Sequence, residues 1–214
     1  MQVSIIGTGN MGAGLAKLFA SKGVKLFIGH HDPAKAANLA KEIGAGAEGG
    51  GIAAAVQAAD IVILAVPYAA AASVLAHAGN LSGKMLVDIS NPITEDYKDL
   101  TIGHTSSAAE EIQKAAPEAR VVKAFNTIFA ALLSEDARRN SPPLQVFIAS
   151  DDQETKKVVF ELVQIAGFEP VDAGPLRNAR FLEPLGELNI HMGFFLGRGT
   201  SVAPIWIDTQ AKAA

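Results

Sequence analysis

The chain has 214 residues, 49% hydrophobic and 19% charged, the balance of a globular protein rather than a disordered one. A net charge of −4 without any cluster of Lys and Arg gives no field for nucleic acid or anionic lipid, and the absence of Cys excludes disulfides, a thiolate nucleophile and a sulfur-ligated metal. The opening MQVSIIG carries no basic stretch ahead of an apolar run, and no run nears the roughly 18 apolar residues that span a bilayer, so the expectation is a cytoplasmic protein with no membrane partner.

Gln2 to Ile6 reads as a strand, and Asn10 to Lys22 as a helix with Met11, Leu15, Leu18 and Phe19 on one face. Val24 to Gly29 is a second strand. Asp32-Pro33 opens the next helix, Asp as N-cap and Pro in the first turn. Ile61 to Val66 is continuously apolar, as a strand covered on both faces should be. Met85 to Ile89, Arg120 to Lys123 and Leu144 to Ala149 follow as strands. Ser107 and Glu110 form a capping box before a helix that Pro117 ends. A helix from about Gln153 to Ala166 precedes a last strand near Glu169 to Val171. This alternation predicts an α/β fold, a doubly wound parallel sheet of Rossmann type. From Asn178 on, the pattern becomes a helix bent or interrupted near Pro184 and an apolar end, GFFLGRGTSVAPIWI. The expected division is a dinucleotide-binding domain over 1–177 and a short helical extension over 178–214, laid on the domain or on a second subunit in a homodimer.

Two segments fit G-x-G-x-x-G. Gly7-Thr8-Gly9-Asn10-Met11-Gly12 follows a strand and opens a helix, the context in which backbone amides at a helix start receive a pyrophosphate. Gly44-Ala45-Gly46-Ala47-Glu48-Gly49 follows a helical stretch and reads as a flexible connection. At the end of the second strand, where an acid would favour NAD by binding the ribose hydroxyls, stand Gly29-His30-His31. Asp32 fits an N-cap better. His30 and His31, with Lys35 a turn later, can donate hydrogen bonds to a 2′-phosphate, which predicts a preference for NADP that weakens with rising pH; two solvated loop histidines are the plain alternative.

Six ordered segments, IIGTGNMGAGLA, DIVILAVPY, VDISNPI, SSAAEEI, VVKAFNT and DAGPLRNARFLE, together resemble the deazaflavin-dependent NADP oxidoreductases, the NADPH:coenzyme F-420 reductases, and the related cytosolic reductase domain of six-transmembrane metalloreductases. The resemblance spans nearly the whole chain. It implies an NADP domain that exchanges hydride with a flavin or deazaflavin. It places the pyrophosphate on Gly7 to Gly12, the turn beneath the nicotinamide ribose at Val66, Pro67 and Tyr68, and later turns of the same rim at Asn91-Pro92 and Phe125-Asn126-Thr127. Members commonly carry a Ser-Arg pair where this chain has His30-His31. Imidazole lacks the bidentate guanidinium contact, so NAD stays open beside NADP.

The residues agree with that placement, since Asn91, Asn126 and Thr127 each follow an apolar strand run, although Asn-Pro and Asn also serve as plain turn chemistry. Hydride transfer between stacked rings needs alignment more than an acid or base. His77, His104 and His191 read as structural or surface residues, which leaves no evident catalytic side chain. Asp172 to Leu176 with Arg177, Asn178, Arg180 and Glu183 has two readings, the border of an acceptor pocket or a turn with a salt-bridged helix. Two further functions stand beside the planar-acceptor reductase. One is an imine or carbonyl reductase related to pyrroline-5-carboxylate reductase, and the other is a dinucleotide sensor without turnover.

Overall fold

The computed structural model describes residues 1–209. Strand and helix alternate from the start: β1 (Gln2–Ile6), α1 (Asn10–Ser21), β2 (Lys25–Gly29), α2 (Pro33–Ile43), β3 (Glu48–Gly50), α3 (Ile52–Ala58), β4 (Ile61–Leu64) and α4 (Tyr68–Ala76). The second half runs β5 (Met85–Asp88), α5 (Ala108–Ala115), β6 (Arg120–Lys123), α6 (Glu135–Arg138), β7 (Gln145–Ile148), α7 (Gln153–Ile165), β8 (Glu169–Asp172) and α8 (Ala179–Ile190). The first six strands form one parallel sheet in the order β3-β2-β1-β4-β5-β6. The parallel pair β7-β8 is tacked onto its edge by an antiparallel bridge between Lys123 and Ala149. The winding reverses between β1 and β4, and a crevice opens there beyond the strands' carboxyl ends. This is the Rossmann-type doubly wound sheet.

Strand alternation explains why both faces are filled. Val3, Ile5, Ile61, Ile63, Val87 and Val122 point into one core with α1, α2 and α7. Ile6, Val62, Leu64, Leu86 and Val121 point into the other with α3, α4 and α5. Each such side chain contributes about 1.5–3 kcal/mol on full burial. The helix starts carry the caps their sequences suggest. Asp32 accepts from the Ala34 amide at 3.0 Å, Ser107 from the Glu110 amide at 3.2 Å and Asp152 from the Thr155 amide at 2.7 Å.

Two expectations are corrected. The second glycine cluster is an ordered turn leading into a strand rather than a flexible connection: Glu48, Gly49 and Gly50 pair with Phe27, Ile28 and Gly29. A Cβ at Gly49 would run into the α2 backbone at Ala36, so this strand lies too close to a helix to carry the apolar alternation that marks strands. The tail helix is not interrupted at Pro184, and a π-helical turn follows it over His191–Phe195. Beyond it the chain is irregular but tied down, with the Gln145 amide bonded to both the carbonyl (3.0 Å) and the amide (2.6 Å) of Trp206. The last five positions of the expected extension lie outside the described residues. Among the described residues no helix is long and apolar enough to cross a membrane.

Candidate active site

The turn from β1 into α1 stands in the crevice, and its glycines are sterically required. Gly7 has φ +117°, and a Cβ there would collide with the Ala65 carbonyl; a Cβ on Gly12 would collide with the Gly7 carbonyl. Around the Cβ position of Gly9, by contrast, there is open space. The α1 start has no side-chain cap and no acidic residue in its first turn, so its positive end is left for an anion. These features fit a diphosphate.

A chamber lies on each side of this turn. The first, about 660 Å³, is lined by Gly7, Thr8, Gly9, Val66 and Pro67, and by His30 and His31. The two imidazoles lie 4.0 Å apart, centroid to centroid. His30 Nδ1 accepts from the Asp32 amide at 3.0 Å, so in the neutral ring Nε2 carries the hydrogen. Burial, and next the neighbouring His31, hold the His30 pKa below the ordinary imidazole value. His77, at the end of α4, also reaches this chamber, with Nδ1 2.7 Å from the Ser73 carbonyl.

The second chamber, about 750 Å³, is bounded by Asn10 and Met11 of α1, by Asn91 and Asn126 after β5 and β6, and by Asn189 and Phe194. Asn91 and Asn126 are cross-linked: Asn91 Nδ2 donates to the Asn126 carbonyl at 2.8 Å, and Asn126 Nδ2 donates to Asn91 Oδ1 at 2.9 Å and to the Leu182 carbonyl at 2.8 Å. Phe125 precedes them, buried, in the left-handed region at φ +58°. A bulky residue there costs about 1–3 kcal/mol. Asn189 Nδ2 donates to the Thr127 carbonyl at 3.1 Å. The lining is therefore apolar side chains and fixed amides. Its only titratable members among the described residues are Lys17, paired with Glu42 at 2.7 Å, and Tyr97.

Behind this chamber lies a buried charge cluster. Lys123 Nζ is 2.7 Å from Asp88 Oδ2, from Glu183 Oε1 and from the Ser90 carbonyl, and all three side chains are at most 1% exposed. Glu183 also accepts from the Ala108 and Ala109 amides, at 2.9 and 3.2 Å, and so caps α5. Desolvation pulls the Lys123 pKa down, but the carboxylates of Asp88 and Glu183 outweigh it and the net shift is upward. Burial pushes Glu183 up against the pull of Lys123. With three acceptors matched to three ammonium hydrogens, the lysine stays charged. The cluster fastens α8 to the sheet, so close that a Cβ on Gly186 would sit 2.7 Å from the Asn91 amide.

The sequence-selected residues divide between the chambers. Gly7, Thr8, Gly9, His30, His31, Val66 and Pro67 line the first, Asn10, Met11, Asn91 and Asn126 the second, and Gly12 is buried beneath the turn. Tyr68 and Pro92 line neither. Tyr68 is the first residue of α4 and turns toward the α5 side, where burial and then the carboxylates of Glu111, Glu183 and Asp88 raise its pKa. Pro92 is buried in a turn, its carbonyl accepting from Thr101 Oγ1 at 2.9 Å. The segment after β8 is a turn leading into a salt-bridged helix. Arg180 makes a two-pronged bond to Glu110 at 2.8 and 2.7 Å, Glu183 joins Lys123, and neither lines a chamber. Asn189, Phe194, Lys123 and Asp88 were not selected from the sequence, and Glu183 was selected without its partner. Lys123 carried a signal, a charge inside the apolar run VVKAF, which implies a buried partner.

The family described as "NADP oxidoreductase coenzyme F420-dependent" matches residues 2–92. The F420-dependent NADP reductase of Methanothermobacter thermautotrophicus is 33% identical over 213 residues, which covers 90% of this chain and 89% of that protein. The chain belongs to the F420-dependent NADP reductase family. The crystal structure of a putative F420-dependent NADP-reductase from Arthrobacter sp. FB24 superposes with a TM-score of 0.84 at 30% identity, covering 92% of this chain and 96% of that one. The chain is also 32% identical over 184 residues to Metalloreductase STEAP3 of Rattus norvegicus, spanning 86% of itself but only 36% of that protein. An imine reductase from Aspergillus terreus shares the fold, with a TM-score of 0.67 at 23% identity over 63% of its length. A member of this family is an NADP-dependent oxidoreductase, and the imine reductase likeness extends to fold alone.

Proposed function

We propose that this chain transfers a hydride between NADP(H) and a planar ring acceptor, a deazaflavin or flavin, in the second chamber. The observation that carries this reading is the chamber lining, mostly apolar walls and tethered amides, with no carboxylate or histidine among its described residues and with its two titratable members, Lys17 held by Glu42 and Tyr97 exposed at the edge. Carbonyl and imine reduction need a placed proton donor. Stacked rings need alignment and the exclusion of water. In the proposed complex the α1 amides and the open space at Gly9 hold the diphosphate, while His30 and His31 face the adenosine phosphate. Val66 and Pro67 bound the first chamber, and Asn91 and Asn126, locked by each other, present a fixed rim to the nicotinamide end. A reduced nicotinamide bound there supplies two electrons and the C4 hydrogen to the acceptor ring, and a proton from water completes the reduced acceptor.

The names of the relatives favour a deazaflavin over a flavin. The reading extends to a dinucleotide-binding unit over 1–177 with an extension over 178–214, to a homodimer formed through the exposed Phe181, Leu188, Leu196 and Trp206, and to a cytoplasmic setting. The test is anaerobic mixing with NADPH and, separately, coenzyme F420, FMN, a cyclic imine and a small ketone. Oxidation of NADPH by the ring acceptors alone is the expected result. Turnover of the imine or ketone alone, or tight NADPH binding with no oxidation by any partner, would reject it.

A further inference from the structure

Two aromatic side chains stand at the second chamber, Tyr97 and Phe194, both exposed. Tyr97 rides on a turn closed by the Thr94 amide on the Asp99 carbonyl at 2.8 Å and by its own amide on the Thr94 carbonyl at 3.0 Å, and has φ +59°. Phe194 rides on the π-helical turn that starts at His191. One side chain joins the two segments. His191 Nε2 lies 3.2 Å from the Lys98 carbonyl, beside Tyr97, and 3.2 Å from Glu187 Oε1, one helical turn back on α8. Glu187 is 8% exposed, and both of its carboxylate oxygens are buried without a hydrogen bond.

We propose that Glu187 and His191 form a clasp that holds the Tyr97 turn against the Phe194 turn and so sets the grip of the second chamber on its acceptor. The proposal rests on the second chamber being the acceptor site. Its physical basis is the carboxylate. A buried carboxylate without donors is costly unless a cation faces it, and the protonated imidazole of His191 is that cation. Its Nε2 lies 3.2 Å from both Glu187 Oε1 on α8 and the Lys98 carbonyl on the turn, so one ring faces both segments. The other charges near Glu187 belong to the turn: Asp96 and Asp99, both repelling it, and Lys98, which is engaged with Asp96 at 3.6 Å. Phe195 covers the imidazole at 4.8 Å between centroids. With a neutral imidazole Nε2–H can still donate to the Lys98 carbonyl, but Glu187 no longer faces a cation and the hold on the Tyr97 turn is weaker. At the acid end Glu187 itself takes up a proton, at a pKa raised first by burial, with Asp99 and Asp96 adding to the shift and His191 opposing it. His191 and Glu187 are positioning residues, since neither lines the chamber.

The test is the pH dependence of steady-state reduction of coenzyme F420 by NADPH in the wild type, Glu187→Gln, His191→Gln and Ile190→Trp, with NADPH dissociation constants measured alongside as a check on folding. The wild-type KM for the acceptor is expected to rise about three- to fivefold from its minimum to the alkaline end of the profile, with the NADPH constant unmoved. Glu187→Gln and His191→Gln are expected to give the high-pH KM at every pH. Ile190→Trp, which fills the chamber, is expected to raise KM throughout. A wild-type KM indifferent to pH, or a Glu187→Gln profile that follows the wild type, overturns the clasp while the Ile190→Trp effect keeps the acceptor site. If Ile190→Trp leaves KM unchanged, the acceptor lies elsewhere and the functional reading fails with the clasp.

Discussion

His30 and His31 offer the first chamber two imidazoles where an acid would select NAD, and no acidic residue is among the described residues lining it. Asp32, the nearest carboxylate, is spent on the α2 start. A 2′-phosphate gains most when these rings are charged. Burial and then His31 hold the His30 pKa below the ordinary value, so in the free protein that charge disappears at lower pH than for a solvated histidine. The ratio of kcat/KM for NADPH over NADH should therefore fall as pH rises, by about fivefold between about pH 5 and about pH 7, and the double variant His30→Gln, His31→Gln should show no such fall. A ratio that climbs with pH contradicts the assignment. At this scale the sequence was informative wherever a residue type has few uses, as with Gly7 and Gly12. It was less so at Tyr68, the first residue of α4, whose side chain packs against the core on the α5 side rather than on the rim.

The elements are held at their ends by polar contacts that periodicity does not register. The apolar runs of β1, β4, β5 and β6 announce a sheet covered on both faces, and the caps at Asp32 and Ser107 announce helix starts. β3 announces nothing, because the close approach of α2 at Gly49 leaves no side chain to alternate. The π-helical turn is similarly silent, its residues HMGFF straddling the end of the expected helix and the start of the apolar end. Among the bonds that fix α8 over the crevice is a buried ammonium shared by β5, β6 and α8, beside the Arg180–Glu110 pair and the Asn126 bond to the Leu182 carbonyl. Lys123→Met would leave Asp88 and Glu183 buried without their cation, and is expected to lower stability by about 3–5 kcal/mol in urea unfolding. Adding Asp88→Asn and Glu183→Gln should recover a large part of that loss. A Lys123→Met protein as stable as the wild type would mean that the cluster is not what holds α8.

For the molecule as a whole, the sheet order places one glycine turn between two chambers of comparable size, one edged by imidazoles and the other by amides and aromatics. A dinucleotide has that two-ended form, with a diphosphate at its centre. The winding and the glycine turn were legible from strand–helix alternation alone. The second chamber was not, because Asn189 and Phe194 reach it from the C-terminal helix and meet Asn91 and Asn126 only in the folded chain. The most direct measurement is a crystal structure of the protein with NADP⁺. The diphosphate should lie on the amides that begin α1, the adenosine end against His30 and His31, and the nicotinamide end toward Asn91 and Asn126. A dinucleotide bound away from that turn, or lying with its nicotinamide among the histidines, would contradict the account.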